Sequence, residues 1–300
     1  MNPSTEHRPT ALPTASAEKP VPTDRLYLTS VCSLNDPSAF LWLQQRLDRS
    51  VESAQPSACN ALKLSLGLIT PEEFAAAWIN EVSRALEKGL YPVSLCAHCY
   101  GFQKLIKRRL LEEEAFSSKV KEKVGELVLP QTVHYSEVLL AQLEELKKLI
   151  ALDASEVKVA LQPACRARNV EPSDYPTELL RRLVEGLGAR AVYHPYEEEC
   201  CGYGFNHFCQ APELADSQAV YRKLKPAKEA GAHLVLTQDG ACSATLTRAG
   251  RTARGLGLEL SLPVLTDAQF TALVCGAPAG EAGLGEELLK ALPFKRRQEG

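Results

Sequence analysis

Glu199-Cys200-Cys201-Gly202-Tyr203-Gly204-Phe205 sets two adjacent cysteines immediately before a pair of alternating glycines. Neighbouring side chains of an extended segment point to opposite sides, so both thiols face one place only where the backbone turns sharply. Gly202 and Gly204 supply such a turn, because glycine takes positive φ at little cost and lets a bulky group approach the backbone. For this segment taken alone, two small buried hydrophobes beside a turn are an alternative. The remaining cysteines weigh against it. There are 10 in 300 residues, with no apolar secretory segment ahead of them, which favours metal or redox chemistry over disulfides.

Composition narrows the class. A chain that is 45% hydrophobic with a net charge of −3 has no basic excess for nucleic acid or an acidic membrane surface. No apolar run reaches spanning length, so no transmembrane helix is expected and the chain reads as cytoplasmic. Residues 1–24 are rich in Pro, Ser, Thr and Ala and read as a disordered lead-in.

Beyond that lead-in the chain alternates short apolar strands with helical periods, and does so twice. A strand over 25–32 ends at Cys32, and a helix opens at Pro37-Ser38. A turn-like segment carries Ala58-Cys59, and Thr70-Pro71-Glu72-Glu73 has the cap, proline and acids of a helix start. A strand over 91–95 delivers Cys96-Ala97-His98-Cys99, and a helix is expected from Gly101. In the second half, a strand over 157–161 leads to Cys165, and a helix spans 176–187. A strand over 191–193 then precedes Cys200-Cys201-Gly202. A long helix over 211–230, interrupted by Pro226, is followed by a strand over 232–237 that delivers Asp239-Gly240-Ala241-Cys242. A helix is expected from Ser243. The interval from Cys59 to Cys96 nearly equals that from Cys201 to Asp239.

The expected fold is therefore α/β: two pseudo-repeated domains, 25–153 and 154–300, each a small, largely parallel sheet covered by helices. In such layouts sites form at the carboxyl ends of the strands, where these cysteines fall. Each half offers four thiols: Cys32, Cys59, Cys96 and Cys99 in the first, and Cys165, Cys200, Cys201 and Cys242 in the second. Four thiolates suit an iron–sulfur cluster or a tetrahedral zinc ion. Spacing alone does not choose, although singles spread over long intervals and an adjacent pair fit a larger cluster better than one small ion.

The arrangement Cys … Cys-Cys-Gly … Cys-x-x-Cys, present twice with one cysteine replaced in each copy, resembles the CCG domain pair of the heterodisulfide reductase B-subunit family. The likeness extends over nearly the whole chain after the lead-in. It includes Leu95-Cys96-Ala97-His98-Cys99-Tyr100-Gly101 and Ala227-Lys228-Glu229-Ala230-Gly231-Ala232. Related CCG proteins include iron–sulfur subunits of glycolate and lactate oxidases and of thiol-linked fumarate reductase. The resemblance implies up to two [4Fe-4S] clusters, cubane or non-cubane, that cleave or form bonds of a thiol, disulfide or protein-bound sulfur substrate. It implies two partners, a ferredoxin-like iron–sulfur subunit (the family's C-type) and a flavin subunit (its A-type). Cys200 and Cys201 are then the candidate catalytic pair, and all eight thiols are candidate ligands. The family pattern has five cysteines per motif, and this chain departs from it twice: Ala58 and Asp239 stand where cysteines are expected. Asp239 becomes a candidate oxygen ligand, and the departures point to a divergent branch such as the Hdr-like proteins of sulfur oxidisers. Three functions are to be separated: a redox subunit for sulfur chemistry, an electron relay to a flavin partner, and a zinc-stabilised scaffold.

Outside the motifs, Cys209 reads as a buried structural thiol, with a substitute ligand as the alternative, Cys275 as core, and His98 as a hydrogen-bonding neighbour of a cluster. His207 reads equally as a proton carrier and as an ordinary histidine. Arg166 and Arg168, and the run Lys104, Lys107, Arg108, Arg109, read mainly as solvated basic surface.

Overall fold

In the computed structural model, two sheets of four strands share one strand order. The residues described are 21–296 without 22, 33, 56–58, 130, 132, 169, 172–173, 208 and 261, so Ala58 lies outside them. β1 (Arg25–Thr29), β2 (Ser50–Ser53), β3 (Tyr91–Ser94) and β4 (Val133–His134) lie in the order β2-β1-β3-β4, all parallel. After β5 (Leu152–Asp153) come β6 (Lys158–Gln162), β7 (Arg190–Val192), β8 (Leu234–Thr237) and β9 (Val264–Thr266). These lie as β7-β6-β8-β9, again all parallel. The α/β repeat read from the sequence is thus present in three dimensions.

Local differences from the sequence reading have physical causes. β2 has no apolar alternation and is largely exposed, because it is an edge strand held by backbone pairing to β1 alone. The helix after β3 starts at Ala97 and runs to Glu112, and its counterpart after β8 spans Gly240–Gly255, each three or four residues earlier than expected. The loops there are so short that Cys99 and Cys242 fall within the first helical turn. The helix expected over 211–230 divides into Pro212–Ala219, a π turn at Val220–Leu224, and Lys225–Glu229. The π turn lies just ahead of Pro226, which lacks the N–H that a regular α-helical ladder requires there. Pro71–Glu87 forms as expected, with a reciprocal Thr70–Glu73 capping box. Of the expected lead-in, Val21 packs against the core and Asp24 pairs with Arg49 at 2.6 Å.

The halves meet through matching positions, as a pseudo-twofold requires. The helix after β3 packs on the segment that follows β6, and the start of the helix after β8 packs on the segment that follows β1. Helix Ser38–Arg46 contacts Asp267–Val274, and its counterpart Tyr175–Gly186 contacts Tyr135–Ala141. One apolar core runs through both halves, joining Leu26, Leu28, Phe40 and Val93 to Val159, Leu180, Leu236 and Phe270. A short antiparallel ribbon of β5 with β10 (Lys295–Arg296) ties the C-terminus to the end of the first half.

At the pseudo-axis the fully buried carboxylate of Asp267 accepts hydrogen bonds from the Tyr135 and Ser136 hydroxyls and from Ala268 N–H at 3.0 Å. Burial pushes its pKa up to about 6, against those three donors. The folded state therefore binds this proton more tightly than the unfolded chain does. The associated stability is complete below the ordinary aspartate range and is lost as pH rises through about 6. Asp267→Asn should remove this dependence. Urea unfolding between pH 4 and 7 should show the wild type losing roughly 2 kcal/mol more than the variant over that window.

Candidate metal centre

The eight thiols lie on segments that follow the parallel strands, four in each half. In the first half, Cys59 caps helix Asn60–Ser65, its Sγ accepting from Leu62 N–H at 3.3 Å. Cys96 stands at the N-cap of helix Ala97–Glu112, with Cys99 one turn on. Cys99 interacts with both Cys59 and Cys96, and Cys32 lies within electrostatic range of Cys96. Asn35 donates to Cys32 Sγ at 3.5 Å. The Cys99 contact, helped by the Leu62 and Ala61 N–H groups and opposed by burial, brings the Cys59 thiol down to about 6. Cys99 is pushed well up by Cys59, by Cys96 and by burial. A thiolate at a helix N-terminus among protonated neighbours is the state that binds a metal. A cavity of about 40 Å³ adjoins Cys32, Cys59 and Cys99, walled by Trp78, Gln103 and Glu81. Burial pushes the Glu81 carboxyl up to about 6.

In the second half, Cys201 Sγ lies 3.1 Å from Cys242 Sγ, and Cys200 interacts with both Cys165 and Cys201. Gly202 is indispensable to the turn: its φ is +98°, and a Cβ there would sit 2.6 Å from Ala215 O. The turn aims the N–H groups of Gly202 and Gly204 at Cys200 Sγ, the former at 3.4 Å. Together with the Cys165 and Cys201 contacts, and against burial, these donors hold the Cys200 thiol far below its ordinary range. Cys165 is pushed up by Cys200 and by burial, and Cys201 by Cys200, Cys242 and burial. A cavity of about 210 Å³ opens beside all four thiols and reaches Tyr203, Arg166 and Asp239. Among the described residues, no three or more His, Cys, Asp or Glu side chains close on a point as ligands of a single metal ion do. The thiols pair in series instead, Cys59 to Cys99 to Cys96 in one half and Cys165 to Cys200 to Cys201 to Cys242 in the other, while Cys32 lies in electrostatic range of Cys96.

Asp239 has a different position from that expected of a ligand. It is fully buried, its Oδ1 accepts from Ala241 N–H at 2.8 Å and its Oδ2 from Ala97 N–H at 2.8 Å. His98 N–H and the Cys96 side chain add to this set. One carboxylate thus caps the helices of both halves, where the peptide dipoles favour negative charge. Burial raises its pKa against those donors. Asn35 makes the reciprocal contact, its Oδ1 accepting from Gly240 N–H at 2.9 Å. The approach is so close that a Cβ on Gly240 would lie 1.7 Å from Leu34 O.

The other sequence candidates divide. Cys275 is buried, as expected, near Leu146 O, whereas Cys209 is exposed rather than buried. The side chain of His207 lies outside the described residues. His98 Nε2 pairs with Ser65 Oγ at 3.2 Å and its ring stacks on Phe102; burial and Arg166 bring its pKa down to about 4. Arg166 reaches the second cavity, Arg168 pairs with Glu198, Lys104 with Glu171 and Arg109 with Glu113. The basic residues are therefore mostly engaged rather than merely solvated.

Sequence reasoning did not single out Asn35 or Tyr203. Asn35-Asp36-Pro37 reads locally as a helix start, and its partner 205 residues away has no local signal. The Tyr203 phenol, pushed up by burial, also senses Cys59, Asp239, Cys96 and Cys32, so it stands between the two thiol groups. Its place inside the CCGYG motif was the available clue.

Two substitutions test the shared caps. Asp239→Asn turns one acceptor into a donor facing a buried N–H and should cost about 1–3 kcal/mol in urea unfolding. Gly240→Ala forces the Leu34 backbone away and should cost about 3 kcal/mol, or leave the two halves misdocked, which a loss of near-ultraviolet circular dichroism would reveal.

Comparison with known proteins agrees with this geometry. The family model described as the CCG cysteine-rich domain matches residues 159–247. A protein of Archaeoglobus profundus, named as like the B subunit of heterodisulfide reductase, is 28% identical over 236 residues, covering 70% of this chain and 77% of that one. The B subunit of the ferredoxin:CoB-CoM heterodisulfide reductase of Methanosarcina acetivorans is 27% identical over 206 residues, 61% of this chain and 64% of that one. A crystal structure of a hypothetical protein from Helicobacter pylori aligns over 88% of this chain and 51% of its own, at TM-score 0.62 and 14% identity, so the two share a fold. No described helix is long and apolar enough to cross a membrane. Over residues 159–247 the chain matches the CCG cysteine-rich domain, and over most of its length it is similar to B-subunit-like proteins of heterodisulfide reductase.

Proposed function

We propose that this chain is the iron–sulfur subunit of a heterodisulfide reductase-like complex, with Cys165, Cys200, Cys201 and Cys242 holding one cluster and Cys32, Cys59, Cys96 and Cys99 a second. The observation that carries the reading is the convergence of each set. Thiols drawn from widely separated loops reach sulfur–sulfur interaction range, with one thiol of each set held toward the thiolate form. The donor chemistry fits the group: soft sulfur ligands, backbone N–H groups aimed at sulfur, and a cavity of about 210 Å³ beside the second set. When bound, such clusters give and take single electrons.

The residues of the chain prepare for that work. The domains are taken as 25–153 and 154–300, each supplying one thiol set at its strand ends. Asp239 is assigned to capping rather than ligation, since its oxygens already accept backbone N–H groups. The second cavity, between the halves and flanked by Arg166, is placed to admit a thiol, disulfide or protein-bound sulfur substrate to Cys200 and Cys201. With no flavin or nicotinamide motif in the sequence, electrons pass to and from partner subunits, of the ferredoxin-like and flavin types in this reading, in the cytoplasm.

Anaerobic purification tests the assignment. Iron and acid-labile sulfide should be present in near-equal amounts, with broad visible absorbance that dithionite bleaches. A Cys165→Ala, Cys242→Ala double variant should lose about half of the iron, and Cys59→Ala, Cys99→Ala the other half. Colourless protein carrying stoichiometric zinc would instead support the scaffold reading and overturn this one.

A further inference from the structure

Lys223 is one of the largest fully buried side chains in the protein, at 1% exposure, and nothing in the thiol chemistry above uses it. It sits in the π turn Val220–Leu224, a local winding that recurs at functional sites. Val220 and Leu224 on either side of it pack in the same apolar cluster as Cys201 and Cys242. Its ammonium donates to two backbone carbonyls, Tyr196 O and Glu197 O, the latter at 3.2 Å, and no carboxylate touches it among the described contacts. A buried cation held only by neutral acceptors costs several kcal/mol unless a nearby anion offsets it.

The groups within electrostatic range of it that become anions when they ligate a metal are the thiols. Burial acts most strongly on Lys223, and it is opposed by Cys201 and Cys242, followed by Glu199 and Cys200. The Glu199 carboxylate is engaged elsewhere, by Gln218 and by both guanidinium arms of Arg222. Gln218 also donates to Cys200 O at 3.0 Å, so the helix carrying Lys223 grips the loop leading into the cysteine pair. The ammonium is thus buried against the loop that leads into the cysteine pair, within electrostatic range of Cys200, Cys201 and Cys242.

We propose that Lys223 is the fixed countercharge of the second thiol set, a positioning residue that raises the reduction potential of the cluster held by Cys165, Cys200, Cys201 and Cys242 without ligating it. The inference rests on the cluster assignment above. One-electron reduction adds a negative charge to the site, and a cation fixed in a region of low permittivity favours the reduced state. Burial brings the Lys223 pKa down to about 8, so the group remains largely cationic at neutral pH. The first set has no buried lysine behind it among the fully buried side chains, so the two sites should differ in potential.

Lys223→Gln separates charge from shape, because the amide still donates to the loop carbonyls but carries no charge. The experiment is an EPR-monitored redox titration of the anaerobically prepared full chain, with iron content measured first. The variant should keep wild-type iron and melting temperature. Its second-site cluster should show a reduced-to-oxidised ratio about tenfold lower at a given solution potential, about 59 mV for one electron. The first-site signal should stay unmoved in the same sample. An unchanged second-site potential with full iron would overturn the proposal and leave Lys223 as a hydrogen-bond donor to the loop. Should the glutamine variant lose its iron, Lys223→Arg decides: charge retention predicts wild-type iron and potential, and loss of iron there as well overturns the proposal. Absence of iron from the wild-type chain would refute the cluster assignment itself, and this inference with it.

Discussion

Two helix N-termini are buried face to face between the halves, and their peptide N–H groups must be satisfied there. Water does this for most helix ends, but at Ala97 and Gly240 it is excluded by the other half. Asp239 caps both helices with one carboxylate, and Asn35 closes Gly240 from the opposite side. The exchange fixes the relative position of the two small sheets. It also fixes the sulfurs, because Cys96 directly precedes Ala97 and Asn35 bonds to Cys32.

The same constraint explains the substitution at 239. A thiol is a weak acceptor, whereas a carboxylate presents two strong ones along two helix dipoles. Aspartate at this point strengthens the joint between halves while removing a sulfur from the second set. The chain retains four thiols there, since Cys200 and Cys201 are both present. Its first half retains four by keeping both cysteines of Cys96-x-x-Cys99 while Ala58 replaces a thiol. Set against the five-cysteine pattern that the resemblance implies, the two sites lack different members of it.

Their surroundings differ accordingly. The second set borders the larger cavity, and its most acidic thiol is Cys200, whose counterpart in the repeat is Ala58. The first set is enclosed beside Glu81 and Trp78 in a much smaller space. In the function proposed above, substrate access belongs with the larger cavity, and Tyr203 stands between the two sets.

The sequence by itself determined the repeat, the parallel α/β class and the eight thiols, because apolar periodicity and cysteine spacing are local and are written twice. It placed the helices after β3 and β8 a turn too late, since a loop reduced to almost nothing leaves no punctuation to read. Edge strand β2 was silent because its pairing uses backbone alone. Only the tertiary structure decided what Asp239, Asn35 and Lys223 do. Their partners lie 142 and 205 residues away for the two caps, and in a buried loop for the lysine. A polar side chain takes its meaning from what burial leaves it to bond with, and that is settled only when the halves close on one another.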